Sequence, residues 1–363
     1  MQADASGVFQ SATWKTAITL GLYKTGALRA IHNLSHYYEI ADEGDGRLHL
    51  QRVRRGRYLI LAYHRIGTNG APLYSKLPQS AFAAQMRFLR QRYRILSVKE
   101  MVEELQDPAA QGRAVVITFD DGYAGTYTEA FPVLRDYQIP ATIYLTAGAI
   151  ETGELSWYDK IFLQFQRAST NLTLELDAPR SFTLNTDAAR LQAAEVVVTY
   201  LRTIPDDERQ QWCARFDKLI PLPVDDLRGA MLTWDDIRMM RSAGITFGAH
   251  TMTHPVVSRL LPGRMRDEIA GSKNLIEERL NEGVHEFAFP FGKSRDCGTA
   301  AQELLKELGF INAVTTMVGM NRPGSNLYRL RRVVVGNDTS IASFALNLHR
   351  LFFCPWDEEL SAN

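Results

Sequence analysis

The stretch Ala114–Tyr123, with the sequence AVVITFDDGY, is the strongest indicator of the fold. Its apolar, β-branched residues predict a buried strand, and the strand ends in two adjacent carboxylates, Asp120 and Asp121. Ionised carboxylates resist burial unless a metal ion, a buried arginine or a catalytic role compensates for it. Gly122 permits a sharp bend, so that both acids can face one cavity. An acidic turn that only caps the strand is the alternative interpretation.

The composition is that of a globular protein. A chain of 363 residues accommodates one large α/β domain with additions, or two domains. Lys plus Arg number 41 and Asp plus Glu also number 41, so the charge balance predicts no nucleic-acid partner. The cysteines, Cys213, Cys297 and Cys354, are too far apart for a metal-ligand motif and predict no disulfide framework.

The N-terminal region lacks the basic segment and apolar run of a signal peptide, and no segment is long and apolar enough to span a bilayer. We therefore expect the protein in the cytoplasm or at the cytoplasmic face of the membrane. An apolar stripe between Trp14 and Tyr38 predicts a helix. This helix either packs on its own domain or associates peripherally with a membrane.

Apolar β-rich segments alternate with helical patterns along the rest of the chain. The predicted strands are Tyr58–Tyr63, Ala114–Phe119, Ala141–Thr146, Ile245–Ala249, Glu286–Phe291, Ile311–Thr316 and Arg332–Val335. Seven strands with intervening helices predict an α/β fold, either a doubly wound sheet or, as the count favours, an incomplete (β/α)7 barrel. The alternation of strands and helices is interrupted from about residue 153 to residue 232, which predicts an inserted, lid-like segment beside the barrel mouth.

A second polar cluster follows the predicted strand Ile245–Ala249. His250 and His254 lie on a loop, because the residue before Pro255 is disfavoured in a helix. The carboxyl ends of parallel barrel strands meet at one face. One carboxylate and two imidazoles would there form a three-ligand metal site with open positions, and the other carboxylate would be free to act as a base. Two structural histidines are the alternative interpretation.

Three motifs in succession, namely Thr118–Tyr123, the His250–His254 pair and Phe287–Gly292, resemble the polysaccharide deacetylase family. This family is also called the NodB-homology domain or carbohydrate esterase family four. The resemblance covers about Leu59 to Val335 and includes two segments, Leu61–Arg65 and Leu155–Asp159, that are similar to bacterial exopolysaccharide and cell-envelope members. It implies a distorted (β/α)7 barrel that hydrolyses N-acetyl groups of glycans with a divalent metal ion.

The resulting domain prediction has three parts. An N-terminal helical extension occupies residues 1–57, and a C-terminal helix and tail occupy residues 341–363. The catalytic domain lies between them, at residues 58–340, and contains the insertion.

The resemblance also implies roles for individual residues. Asp121, His250 and His254 would bind the metal ion, which is zinc or else cobalt, nickel or iron. Asp120 would be the general base, and the backbone N–H of Phe291 would stabilise the oxyanion.

The chain departs from the family pattern in two places. Many members carry an arginine that orients the catalytic aspartate in the third motif, where this chain has Ala288. We predict that Arg332 supplies this charge, and a surface arginine is the alternative. The late histidine motif of the family matches Leu346–His349 only superficially, because that segment lies in a helical pattern. We therefore predict that His64, at the end of the first barrel strand, is the general acid.

Aromatic residues near the motifs are candidates for binding sugar rings through their faces, with core packing as the alternative. They are Tyr123, Trp157, Tyr158 and Trp234.

The sequence thus predicts metal-dependent N-deacetylation of an exopolysaccharide, a cell-envelope glycan or a lipid-linked sugar. One alternative is an amide hydrolase of the same fold that acts on a non-glycan substrate. The other is a non-catalytic glycan-binding component of a polysaccharide assembly system. The presence of all four residues Asp120, Asp121, His250 and His254 favours an enzyme, since a binding module does not need them together.

Overall fold

The computed structural model describes residues 38–42, 48–52, 56–67, 76–168, 171–223, 229–337 and 340–353. The predicted helix between Trp14 and Tyr38, except for Tyr38 itself, and the tail with Cys354 lie outside these residues. Within the described ranges, no helix combines the length and the apolar character that crossing a membrane requires.

The strands, in chain order, are β1 (Tyr38–Asp42), β2 (Leu48–Arg52), β3 (Arg57–Tyr63), β4 (Arg94–Leu96), β5 (Arg113–Phe119), β6 (Ala141–Leu145), β7 (Asn171–Glu175), β8 (Pro179–Thr183), β9 (Thr246–Ala249), β10 (Glu286–Ala288), β11 (Asn312–Val314) and β12 (Arg332–Val334).

The α-helices are α1 (Gln79–Arg92), α2 (Val98–Gln106), α3 (Phe131–Tyr137), α4 (Ala147–Thr152), α5 (Trp157–Arg167), α6 (Asp187–Leu201), α7 (Asp206–Leu219), α8 (Trp234–Ser242), α9 (Pro262–Leu280), α10 (Thr299–Glu307) and α11 (Ile341–Phe353).

The seven predicted strands form the wall of a barrel. Their order in the sheet is β11-β10-β9-β6-β5-β3-β12, with β4 paired to β5 beside this path. Neighbouring strands run parallel, and a parallel bridge between Val314 and Leu330 brings the two edges of the sheet together. The sequence prediction of a distorted (β/α)7 barrel of the NodB-homology type is therefore confirmed.

Side chains that point alternately to the two faces of the sheet form two separate apolar cores. One core contains even-numbered strand residues such as Ile60, Val116 and Val314, together with the apolar side of α2, and it fills the barrel. The other contains odd-numbered residues such as Leu61 and Ile117, which pack against the surrounding helices. Since side chains alternate across a strand, residues that continue the even series beyond β5 and β9 point into the barrel mouth. Asp120 and His250 are in this position.

A tyrosine ring fills the barrel just below the mouth. Tyr144 on β6 is fully buried, and a Cβ atom at Gly248 on the neighbouring strand β9 would lie 2.6 Å from its ring. The same Cβ atom would lie 2.8 Å from the backbone carbonyl oxygen of Glu286, so position 248 accepts only glycine unless both the ring and the backbone move. The ring in turn supports the guanidinium group of Arg332, which lies 5.7 Å above its centroid.

The insertion is a small folded unit with its own core. It contains α5, the antiparallel hairpin β7–β8, and helices α6 and α7. Its apolar core includes Phe165, Leu174, Val197 and Phe216. The segment thus has internal packing of its own, in addition to its contacts with the barrel mouth.

Two strands occupy part of the predicted N-terminal helical extension. β1 and β2 form an antiparallel hairpin with Tyr38 opposite Arg52. This part of the extension forms strands and not a helix because apolar and polar residues alternate with a period of two in Leu48–Arg52 (LHLQR).

Candidate active site

Asp120 and Arg332 form a buried, two-point ion pair at the barrel mouth. Arg332 Nη1 donates to Oδ1 of Asp120 at 2.7 Å, and Nη2 donates to Oδ2 at 2.6 Å. Arg332 is 0% exposed and Asp120 is 2% exposed. The guanidinium is further fixed by the carbonyl oxygen of Thr315, at 2.7 Å from Nε. The structure thus brings together the two residues that the sequence analysis paired, and the surface alternative for Arg332 is wrong.

Asp121, His250 and His254 form a second buried group beside this pair. Oδ1 of Asp121 lies 3.5 Å from Nε2 of His250 and 3.3 Å from Nε2 of His254. Oδ1 has no hydrogen-bond partner, although it is buried. Ligand atoms around a tetrahedral ion at about 2.0–2.1 Å lie about 3.4 Å from one another, so these spacings fit a divalent metal ion.

The ring of His250 is held in a ligand-competent orientation, and the loop that carries both histidines is fixed. Nδ1 of His250 lies 2.7 Å from the carbonyl oxygen of Ala288. A carbonyl only accepts hydrogen bonds, so Nδ1 carries the proton and Nε2 presents its lone pair to the group. Glu268 on α9, which is buried, accepts hydrogen bonds from the backbone N–H groups of Met252 and Thr253 and so fixes the loop between the two histidines.

Backbone strain is concentrated at this site. Among the described residues, six that are not glycine have a positive φ. Two of them, Gln138 and Asn281, follow the last turn of a helix, where the left-handed conformation is common. The other four lie at the barrel mouth: Asp121 (73°), Thr251 (66°), His254 (58°) and Phe291 (60°). Strained residues of this kind are typical of functional sites.

The left-handed conformation explains how two adjacent acids face one cavity. Asp120 follows the inward alternation of β5, whereas Asp121 would point outward on a regular strand. At Asp121 φ is 73° and at Gly122 it is 86°, and this bend brings the carboxylate of Asp121 towards His250 and His254. The bend predicted at Gly122 therefore exists, and it begins one residue earlier.

The electrostatic environment keeps both acids ionised. Burial is the largest influence on Asp120 and acts to raise its pKa, but the charge and the hydrogen bonds of Arg332 outweigh it, so the pKa lies below the ordinary value. Burial acts the same way on Asp121, where the contacts with His250 and His254 hold the pKa well below that value. Burial lowers the pKa of His254, which favours the neutral imidazole that binds metal ions. At His250 the neighbouring carboxylates outweigh burial and raise the pKa.

His64 and Phe291 border the same space. His64 follows β3, and its Nε2 lies 3.8 Å from Oδ2 of Asp120, with the side chain 37% exposed. The Phe291 ring lies 4.8 Å from the ring of His254. His349, the alternative acid, lies elsewhere: it is on α11, with Nδ1 3.2 Å from the hydroxyl of Tyr93 and its ring beside Phe88.

The geometry agrees with the comparison against protein families. The family model described as Polysaccharide deacetylase matches residues 107–312, more than half of the chain. The chain belongs to the polysaccharide deacetylase family.

Curated relatives are consistent with this assignment. A putative polysaccharide deacetylase of Bacillus subtilis, YxkH, is 22% identical over 304 residues, which are 83% of this chain and 80% of the relative. The poly-beta-1,6-N-acetyl-D-glucosamine N-deacetylase of Staphylococcus aureus is 28% identical over 104 residues, which are 28% of this chain and 36% of that enzyme.

Two solved structures share the fold. The deacetylase PplD of Streptococcus pyogenes, in complex with acetate, is 19% identical with a TM-score of 0.56 and covers 82% of this chain and 99% of its own. IcaB from Ammonifex degensii is 22% identical with a TM-score of 0.52 and covers 80% of this chain and 97% of its own.

Two of the four aromatic residues predicted to bind sugar in this polysaccharide deacetylase are buried. Trp157 is 8% exposed and its indole N–H donates to the carbonyl oxygen of His254 at 2.9 Å, while Tyr123 is 5% exposed. Their rings are therefore not free surfaces for stacking, because they are packed within the protein. Tyr158 and Trp234 are half-buried, and Trp234 donates to Glu151 at 2.8 Å.

Three polar residues of the deacetylase site were not identified from the sequence. They are Arg65, Asp159 and Glu268. Arg264 and Glu268 have the spacing of an ordinary i,i+4 ion pair, which hides the buried role of the glutamate. Asp159 lies in the first turn of α5, where exposed acidic residues are common. The only sequence signal that it is buried is its position directly after two aromatic residues.

Proposed function

We propose that this protein is a metal-dependent N-deacetylase that hydrolyses the acetamide groups of an N-acetylated glycan. The observation that carries the proposal is the juxtaposition of two buried groups at the barrel mouth. One is a three-ligand group of Asp121, His250 and His254 with an unpartnered carboxylate oxygen. The other is Asp120, held ionised by Arg332.

The two groups have complementary chemistry. A divalent ion held by Asp121, His250 and His254 would polarise the acetamide carbonyl and lower the pKa of a water molecule. Asp120, oriented by two hydrogen bonds from Arg332, accepts a proton from the attacking water. The C–O bond forms and the C–N bond breaks, so that the products are acetate and a free amino group on the sugar.

His64 and the Phe291 amide complete the proposed mechanism. His64 donates a proton to the leaving nitrogen, and its position near Asp120, on the solvent side of the site, supports this role. The N–H of Phe291 lies in a tight turn that is closed by a 2.6 Å hydrogen bond from Gly292 N–H to the carbonyl oxygen of Pro290. We propose this N–H as the oxyanion donor. A crystal structure with bound acetate tests it, since one acetate oxygen must lie about 2.7–3.1 Å from the Phe291 nitrogen.

The substrate that we propose is a polymer containing N-acetylglucosamine. Family membership supports a polysaccharide, and the Staphylococcus aureus relative is named for poly-beta-1,6-N-acetyl-D-glucosamine. Because that match covers only 36% of the relative, the linkage must be determined with a panel of acetylated glycans.

Removal of the metal ion is expected to abolish activity reversibly. Dialysis against a chelator should stop acetate release from acetylated chito-oligomers, and zinc, cobalt, nickel or iron should restore it, since all are compatible with one carboxylate and two imidazoles. The His254→Ala variant should remain inactive after the metal is returned. His285→Ala, which changes an exposed histidine, should behave as the wild type.

The same assay separates the alternative functions. Acetate release only from small amides, and not from glycans, would support a non-glycan amide hydrolase. Glycan binding without bound metal and without acetate release would support the non-catalytic role and contradict the proposal.

His64 should matter only when the leaving group needs a proton. An amine must be protonated to leave, whereas 4-nitrophenolate leaves without a proton. We expect His64→Ala to lower kcat on an acetylated glycan by about 10²–10⁴-fold and to change the hydrolysis of 4-nitrophenyl acetate much less. Equal losses on both substrates would show that His64 acts in the attack of water and is not the general acid.

A further inference from the structure

The two oxygens of the Asp121 carboxylate have different neighbours. Oδ1 faces Nε2 of His250 and Nε2 of His254, at 3.5 and 3.3 Å. Oδ2 accepts a hydrogen bond from the hydroxyl of Tyr158 at 2.9 Å. Tyr158 lies on α5, within the insertion, and does not belong to the barrel. The insertion therefore contacts the carboxylate oxygen that is turned away from the two histidines.

Tyr158 is itself held in place by its neighbours. Its hydroxyl lies 2.6 Å from that of Tyr123, and the Tyr123 hydroxyl lies 2.9 Å from Oδ2 of Asp159. A phenol has a single proton, so Tyr123 donates to one of these two neighbours at a time. The ring of Tyr158 packs against the ring of His254, with 4.8 Å between centroids. These contacts restrict both the ring and the hydroxyl of Tyr158.

Asp159 and Arg65 anchor this arrangement to the barrel. Asp159 is fully buried, and its Oδ1 accepts a hydrogen bond from Arg65 Nη2 at 2.7 Å. Arg65 follows β3, and its guanidinium group lies 4.0 Å from the centroid of the Tyr123 ring. A buried carboxylate needs such a partner, because burial without one is costly. A continuous series of polar contacts thus connects Arg65 on the barrel to Asp121.

Resting on the proposed function, we propose that Tyr158 is a positioning residue that sets the metal affinity of the three-ligand group. Tyr158 is in turn held in place by Tyr123, Asp159 and Arg65. A carboxylate with one free oxygen can rotate about its terminal bond and lose its orientation towards the imidazoles. The hydrogen bond on Oδ2 prevents this rotation and leaves Oδ1 free to bind the ion. Residues that orient metal ligands in this way typically contribute about 10–100-fold to metal affinity or activity.

A second contact links the insertion to the same group. The indole N–H of Trp157, the residue before Tyr158, donates to the carbonyl oxygen of His254 at 2.9 Å. Adjacent residues of α5 therefore contact two of the three candidate ligands. The insertion is thus a structural part of the proposed metal centre, in addition to any effect on substrate access.

The Tyr158→Phe variant tests the proposal, because it removes one oxygen atom and keeps the ring. We expect its zinc affinity, measured by competition with a chromogenic chelator, to fall by about 10–100-fold. Activity at saturating zinc should recover most of the wild-type kcat. Tyr200→Phe, which alters a half-buried tyrosine of the same insertion that packs on Trp212, should leave zinc affinity unchanged. A zinc affinity of Tyr158→Phe within twofold of the wild type would overturn the proposal.

A double-mutant cycle tests whether Asp159 acts through Tyr158. Asp159→Asn should weaken zinc binding in the wild-type background and have little further effect in the Tyr158→Phe background, because coupled residues are not additive. Additive effects would overturn the connection between them. A wild-type protein that binds none of zinc, cobalt, nickel and iron would overturn the proposed function together with this inference. Zinc binding that is normal in both wild type and Tyr158→Phe would overturn this inference alone.

Discussion

Replacing Asp120 with Asn is expected to lower kcat for acetate release by about 10²–10⁴-fold, the usual contribution of a general base. The amide keeps the shape of the carboxylate but cannot accept the proton of the attacking water. Zinc content should stay at the wild-type level, because Asp120 contributes no atom to the group of Asp121, His250 and His254. Kinetic assays combined with metal analysis of the same sample provide the measurement.

Folding has to be controlled in this experiment. The substitution leaves the buried Arg332 without its charged partner, so some stability is lost as well. Thermal unfolding of the variant therefore has to be measured first, so that the assay is run well below its Tm. Asp136→Asn, which changes an exposed aspartate on α3, is the matched control and should leave kcat unchanged. Retention of more than a tenth of the wild-type kcat by Asp120→Asn would remove Asp120 from the role of base.

Replacing Arg332 with Met is expected to reduce both turnover and stability. The change leaves the carboxylate of Asp120 buried without its partner, and breaking a buried pair in this way costs about 3–5 kcal/mol. Turnover should fall by about 10²-fold or more, since the base loses both its orientation and the charge that keeps it ionised. Arg332→Lys should be impaired too, because an ammonium group cannot make the two parallel hydrogen bonds of a guanidinium.

The double variant Asp120→Asn/Arg332→Met separates the two effects. Removing both charges eliminates the unpaired group, so the double variant should regain more than half of the stability lost in Arg332→Met. It should remain inactive, because no base is present. Arg331→Met, at the neighbouring half-buried arginine that donates to the carbonyl oxygen of Val318, is the control and should keep its activity. An active double variant would contradict the role of Asp120, and a double variant as unstable as Arg332→Met would contradict the energetic argument.

The strands and the residues at their ends could be predicted because they follow local rules. Apolar runs located the seven barrel strands, and the inward alternation along β5 and β9 places Asp120 and His250 at one mouth. The pairing of Arg332 with Asp120 was predictable as a hypothesis, since a buried carboxylate requires a positive partner. Which of the neighbouring arginines pairs with it depends on the inward position of Arg332 beside Ile60, which only the register of β12 on β3 establishes.

The contribution of the insertion could not be predicted in the same way. Arg65 is separated by many residues in the sequence from Tyr123, Tyr158 and Asp159. The hydrogen bonds among these four residues depend on how α5 docks on the barrel. No local pattern encodes that docking. The aromatic residues of α5 therefore suggested sugar stacking, whereas Trp157 and Tyr158 contact His254 and Asp121.

The residues of the site that adopt the left-handed backbone conformation also affect how the sequence is expected to evolve. Glycine adopts this conformation without steric cost, whereas other residues held in it cost about 1–3 kcal/mol each. A substitution of Asp121 or His254 by Gly would therefore relieve strain while it deletes a proposed metal ligand. Selection for folding alone would favour such a change. A lineage freed from the need to deacetylate would thus be expected to lose these ligands early and to retain the barrel, giving stable descendants without catalysis.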